Sequence, residues 1–246
     1  MLPAFHDMLN ISKTGMQTRL SNLEIISDNL SNINTTAFKS SRGNFQEVLD
    51  EAKREQGVTM DSTQRNMTQG TYKESYSSLH LAIKGAGFFA VTMPDNTTAY
   101  TRDGQFELDG NRRIVTEDGY PVVWTGTIPA NTEKIGINEA GQVSVLRAGV
   151  WTNVGTIQLN LFASPEGMTR EGQNLYLATD VSGAAQTYNP ETNGTGTILS
   201  NMLEASNVSL SEEMTNAIIT QRGFQLNTRA FQQTDSMLGQ AIGLRR

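Results

Sequence analysis

The sequence predicts an α+β fold: long N- and C-terminal helices forming a coiled-coil core domain, with a central antiparallel all-β sandwich or barrel-like domain between them. Three observations predict it. Apolar residues recur every seven positions near each end, turn-forming dipeptides separate short apolar runs in the middle, and the middle is acidic while the ends are close to neutral.

Leu9, Met16, Leu23 and Leu30 repeat at sevens, and Leu20, Ile26 and Ile33 fill neighbouring positions on the same side. This is an apolar stripe on a helix of roughly 25 residues, or ~38 Å. Asp7 is its expected N-cap. Asn32-Ile33-Asn34 is its expected stop, because Asn tolerates the left-handed conformation past a helix end. Phe38 and Phe45 follow closely enough to fold back onto the stripe. Residues 57–78 are polar and rich in Thr, Ser and Gln, and read as an extended connector.

The middle reads as short strands. Leu81-Ala-Ile83 and Phe88-Phe-Ala-Val91 are broken by Gly85-Ala-Gly87. Ala99–Arg102 and Gln105–Leu108 flank Asp103-Gly104, and Arg113–Thr116 and Tyr120–Trp124 flank Asp118-Gly119; both pairs carry a hairpin signal. Further strands are expected at Lys134–Asn138, Gln142–Leu146, Gly155–Phe162 and Asn174–Ala178. Even spacing of turn signals favours an antiparallel β domain.

At the C-terminal end, Leu210, Ala217, Phe224, Phe231 and Leu238 again recur at sevens. Ser209-Leu-Ser-Glu212 is a capping box with Val208 in the staple position. The helix is expected to run to about Ile242, ~50 Å. A strict seven-residue repeat makes a narrow seam that suits a helical partner. The expected divisions are 1–56, the N-terminal helix and following segment of the core domain; 57–78, the connector; 79–203, the β-rich outer domain; and 204–246, the C-terminal helix.

The net charge of the 246 residues is −6, and residues 57–203 hold nine basic against fourteen acidic side chains. No basic stripe exists to collect phosphates, which argues against nucleic-acid binding. There are no cysteines, so disulfides, thiolate metal sites and cysteine nucleophiles are excluded. The first residues lack a basic n-region and an apolar h-region, so no Sec-type signal is expected. No apolar run reaches the ~18 residues of a membrane span.

Residues able to do chemistry are few. His6 and His80 stand in no metal-binding pattern. Lys84-Gly85-Ala86-Gly87 lacks the Lys-Ser/Thr of a phosphate loop, and its glycines read as turn formers. Asp103, Glu107, Asp109, Glu117 and Asp118 cluster, and two of them could serve as acid and base on a glycan. Three of the five adjoin glycine, however, where a turn Asp is expected anyway. No catalytic, cofactor or metal residue is assigned, and the secreted glycan-active enzyme stands as the rival reading.

Four blocks, in order, resemble the flagellar axial protein family of rod and hook subunits. The first is Asn22–Lys39, with its Asn29-Leu-Ser-Asn-Ile-Asn and Thr35-Thr-Ala-Phe-Lys39; Ser31 and Ala37 stand where the family has Ala and Gly. The second is Leu79-His-Leu-Ala-Ile-Lys-Gly-Ala-Gly-Phe-Phe89, with His80 in place of Asp. The third is Tyr100-Thr-Arg-Asp-Gly-Gln-Phe106 with Ile114–Tyr120, and the fourth is Glu204-Ala-Ser-Asn-Val208 with the helix after it. Chain length leaves no room for a hook subunit's extra domain. Gln173–Tyr176 and the Arg222–Phe231 block resemble the distal-rod type, whereas the short connector resembles the proximal-rod paralogue.

The resemblance implies a non-enzymatic structural subunit of the flagellar basal body, exported by the flagellar type III apparatus without a cleaved signal. It implies helical homo-polymerisation into a tube that transmits torque, next to other rod proteins, the hook protein and surrounding ring or bushing proteins. It implies no cofactor and no membrane insertion. The expected subunit-interface residues are Leu9, Met16, Leu20, Leu23, Ile26, Leu30, Ile33 and Phe38 with Leu210, Ala217, Phe224, Phe231 and Leu238.

Overall fold

The computed structural model describes residues 2–50 and 55–243, with side chains over 7–46 and 58–240. The chain divides into two compact units. One comprises Met1–Ile33, Ser40–Asn66 and Val208–Arg246, and the other Asn34–Lys39 and Met67–Asn207.

In the first unit, helix α1 spans Leu2–Ser31. It starts well before Asp7, which is therefore inside the helix and not its cap; Pro3 sits in the first turn, where its missing N–H costs nothing. The left-handed residue after the helix is Ala37 (φ 56°), beyond the Asn-rich stretch expected to supply it. A long antiparallel hairpin follows, strand β1 (Ser41–Asp50) against β2 (Glu55–Arg65). Its ladder pairs Asn44 with Ser62 but Phe45 with Met60, so Asp61 is an extra residue that bulges the second arm. Helix α2, Leu210–Gly243, begins directly after Ser209, whose carbonyl accepts the Glu213 N–H at 2.9 Å.

The two helices run antiparallel, but the expected coiled-coil core is not there. Their shared seam is polar and small. Asn29 donates to Glu213 Oε1 at 2.9 Å, and Asn22 donates to Thr220 Oγ1 at 3.0 Å. A Cβ on Gly15 would stand 2.6 Å from the Asn227 side-chain amide nitrogen, and one on Gly223 2.9 Å from Arg19 Nε, so a polar side chain of the opposite helix lies over each of these two glycines. The physical reason is phase. On α1 the seam follows Gly15, Asn22 and Asn29, about 100° round from the stripe of Met16, Leu23 and Leu30. On α2 it follows Glu213, Thr220, Asn227 and Thr234, about 60° from the Leu210–Leu238 row.

The second unit is β-rich and antiparallel in every described pair, but it is a set of small sheets and not one sandwich or barrel. Its strands are β3 (Tyr72–Glu74), β4 (Leu81–Lys84), β5 (Phe89–Thr92), β6 (Thr98–Thr101), β7 (Phe106–Leu108), β8 (Ile114–Thr116), β9 (Lys134–Ile137), β10 (Gln142–Arg147), β11 (Val150–Thr156), β12 (Leu159–Leu161), β13 (Thr169–Gly172), β14 (Leu175–Leu177), β15 (Gln186–Tyr188), β16 (Thr197–Ser200) and β17 (Met202–Glu204). The largest sheet has the order β13-β14-β6-β5, and β9, β10 and β11 form a three-stranded sheet. Elsewhere β12 pairs β15, β16 pairs β4, β17 pairs β3 and β7 pairs β8.

Strand β5 shows why the middle folds. Alternation sends Phe89 and Val91 into one apolar cluster, and Phe88 and Ala90 into another. Phe89 meets Phe106 edge-on with ring centroids 5.0 Å apart, and Phe88 meets Phe162 at 5.8 Å. The Asp103-Gly104 hairpin is absent, because β6 pairs β5 and β14 while β7 pairs β8. Gly104 instead serves a backbone crossing: a Cβ there would fall 1.6 Å from the Leu81 carbonyl oxygen. Asp118-Gly119 does turn the chain, with Gly119 at φ 88° and its N–H bonded to the Thr116 carbonyl.

Candidate functional site

Two features stand out, one in each unit. In the β-rich unit, Glu204 is fully buried and gathers charged residues from distant parts of the chain. Lys39 Nζ lies 2.5 Å from its Oε1 and also donates to the Thr68 carbonyl at 2.8 Å. The Gly70 N–H donates to the same Oε1 at 2.9 Å. Arg102 NH1 lies 3.8 Å from Oε2, and its guanidinium sits 5.1 Å from the centre of the Phe88 ring. Burial pulls both Lys39 and Arg102 below their ordinary pKa values, and the Glu204 charge opposes that pull.

The backbone closes around the same residue. Ala37 N–H donates to the Glu204 carbonyl at 2.7 Å, and Asn207 donates through Nδ2 to the Thr68 carbonyl at 3.0 Å. Glycine is required at position 70, where a Cβ would fall 2.0 Å from the Ala205 carbonyl oxygen. Three of the sequence blocks thus each supply one member of a buried ion triad: Lys39 after Thr-Ala-Phe, Arg102 after Tyr-Thr, and Glu204 before Ala-Ser-Asn-Val. No local pattern marks these three as partners, so sequence reasoning missed the triad.

In the helical unit the feature is an unburied apolar surface. Of the thirteen expected interface residues, Leu20, Leu30, Leu210 and Phe231 are exposed. Leu9, Met16, Leu23, Ile33, Ala217, Phe224 and Leu238 are half-buried. Ile26 is buried. Phe38 belongs to the other unit, where it is 2% exposed and lies under Arg170 at 5.4 Å. Sequence reasoning passed over Met214, Ile218, Ile219, Leu226 and Met237 on α2, all of them exposed. None of them falls on the Leu210–Leu238 row, and that hid them.

Three of the five carboxylates weighed for catalysis, Asp103, Asp109 and Asp118, have structural partners. Asp109 accepts the Asn111 and Arg113 N–H groups and holds Arg113 Nε at 2.8 Å. Asp118 accepts from Gln173 at 3.0 Å. Asp103 accepts the Gln105 N–H at 3.0 Å; burial, reinforced by Glu117 and Asp118, pushes its carboxyl up to about 6. His80 Nδ1 meets Ser75 Oγ at 2.6 Å, and the side chain of His6 lies outside the described residues. Among the described residues no three His, Cys, Asp or Glu side chains gather in a way that could hold a metal ion. Among the same residues no helix is long and apolar enough to cross a membrane.

Residues 9–39 match the family described as flagella basal body rod protein, 82–145 the flagellar hook protein FlgE/F/G D1 domain, and 199–244 the flagellar basal body rod FlgEFG protein C-terminal family. The flagellar basal-body rod protein FlgG of Buchnera aphidicola subsp. Acyrthosiphon pisum is 38% identical over 93% of this chain and 95% of its own length. FlgG of Borreliella burgdorferi is 34% identical over 95% of this chain and 96% of its own, and FlgG of Caulobacter vibrioides 36% over 96% and 98%. The chain belongs to the FlgG family of flagellar basal-body rod proteins. It is a structural subunit of the flagellar rod, placed in the basal body, and not an enzyme; the glycan-active alternative falls.

Proposed function

We propose that this subunit polymerises with copies of itself through the apolar surfaces of α1 and α2, forming a helical tube of the distal-rod type that carries torque. The supporting observation is the run of α2 side chains left in water: Ile218 is 58% exposed, Ile219 59% and Leu226 63%. Burying such a side chain is worth about 1–2 kcal/mol, so a handful per neighbour supports a stable lateral contact. Because the helices satisfy their polar seam within the chain, this surface is available to another subunit. An interface joining different patches on successive copies, with a rotation that does not close, generates a helical filament. Leu20, Leu30, Leu210 and Phe231, which are exposed, and Leu9, Met16, Leu23, Ile33, Ala217, Phe224 and Leu238, which are half-buried, are the further residues assigned to the contact in this reading. Other rod proteins, the hook protein and surrounding ring or bushing proteins are the expected neighbours of the assembled tube.

The test is Ile218→Asp and Leu226→Asp, made separately and followed by sedimentation and electron microscopy of the assembling protein. Both side chains are exposed, so the isolated chain keeps its stability while assembly is lost. Filaments of normal length from both variants would remove α2 from the interface.

A further inference from the structure

A cavity of about 290 Å³ lies beside the ion triad, lined by Lys39 and Arg102 together with Met67, Phe88, Phe162 and Pro165. Among the described residues no Asp or Glu lines it. The triad it adjoins is unbalanced, since two cations share the single carboxylate of Glu204. Lys39 takes the closer half of that carboxylate, and Arg102 is left with the 3.8 Å contact. Arg102 is only 7% exposed, yet among the described residues its Nε and NH1 have no hydrogen-bond partner, and Glu204 Oε2, at 3.8 Å from NH1, is too far to bond it. A buried guanidinium short of acceptors is costly to maintain, and a second anion relieves that cost.

We propose that this cavity binds a carboxylate carried on a short hydrocarbon stem, with Arg102 as the principal cation. A guanidinium presents N–H groups in a plane that matches a carboxylate, and the walls of Met67, Phe88, Phe162 and Pro165 hold the stem. The apolar walls favour such a ligand over a fully hydrated inorganic oxyanion, which would have no partner on that side. The carboxylate comes either from a small free acid or from an Asp or Glu side chain of a second copy of this chain.

The experiment is thermal unfolding of the 246-residue chain in rising butanoate at constant ionic strength, with 1-butanol, chloride and sulfate as comparisons. Butanoate is expected to raise Tm with a saturating dose response, and the three comparisons are not. Arg102→Leu loses the response. Should that variant fail to fold, Met67→Glu decides: it places a carboxylate in the cavity from within the chain and abolishes the butanoate response while the fold persists. Sedimentation in the same titration separates the sources. Loss of self-association identifies a second copy's side chain as the occupant, and unchanged self-association identifies a free acid. No saturable rise in the unmodified chain, an equal rise with sulfate, or an undiminished response in Met67→Glu overturns the assignment.

Discussion

Replacing Glu204 with Gln removes one charge from the centre of the β-rich unit and changes its shape little. The carboxylate accepts from Lys39 at 2.5 Å and from the Gly70 N–H at 2.9 Å, and it is the only anion in the triad with Lys39 and Arg102. The amide can still accept one of those bonds, but its NH2 group then faces buried cations. Breaking a buried pair by removing one partner costs about 3–5 kcal/mol, because the other charge is left uncompensated. Two cations are stranded here, at 2% and 7% exposure, which places the loss at the upper end of that range. For a unit of this size ~2–4 °C of Tm accompany each kcal/mol, so a fall of roughly 10–20 °C is expected. The assay is urea unfolding of the whole chain followed by the fluorescence of Trp124 and Trp151, both of which lie in this unit. The triple variant Lys39→Met, Arg102→Met, Glu204→Leu supplies the contrast and should recover most of the loss, since an apolar replacement strands no charge. A Glu204→Gln midpoint within about 1 kcal/mol of the parent, or a triple variant no better than the single one, refutes the electrostatic account.

Other outcomes follow from single residues. The Asp103 carboxyl, pushed up to about 6 in the folded chain, binds a proton more tightly there than when unfolded; stability should therefore fall as pH rises from about 4 through 6. Asp103→Asn, which keeps an acceptor for the Gln105 N–H, should flatten that slope and gain up to about 3 kcal/mol at neutral pH, read from urea midpoints across pH. Gly104→Ala should prevent folding of the β-rich unit, since its Cβ would overlap the Leu81 carbonyl at 1.6 Å; a native-like circular dichroism spectrum and melt would contradict the crossing. Ala37→Gly should change stability by less than ~1 kcal/mol. Release of the left-handed strain at φ 56° is offset by the loss of a buried methyl group.

The ends of the chain were legible because a long periodic pattern survives tertiary context. The capping sequence at Ser209 put the start of α2 where it is found. What the pattern did not disclose is which face each helix buries. Apolar spacing at sevens implied a seam through Leu23 and Phe224, but Asn29 joins α1 to both the Ser41 carbonyl and Glu213, and that bonded polar face wins the contact. The β1–β2 hairpin was illegible for a related reason. Its arms carry few apolar residues, and the intervening Glu51-Ala-Lys-Arg54 has none of the Asn-Gly or Asp-Gly chemistry that marks a turn. Conversely, Asp103-Gly104 has that chemistry without the hairpin, because its glycine was needed for the close approach to Leu81. Motif resemblance named the chemistry of Lys39, Arg102 and Glu204 only as letters in separate blocks; their meeting is a property of the folded chain.

The polar seam between the helices acts like a vernier. The apolar rows of α1 and α2 both repeat every seven residues, so sliding one helix past the other by seven positions, about 10 Å, would leave the pattern of each row looking the same from outside. The rungs do not survive that slip: Asn29 would face Thr220 in place of Glu213, and Asn22 would face Asn227, whose side chain now fills the space beside Gly15. Only one phase satisfies every rung, as a single buried polar residue fixes register in other helix pairs. Every copy of the subunit therefore presents its apolar rows at one fixed offset, and in the proposed assembly the repeat distance is set inside the monomer before any two copies meet.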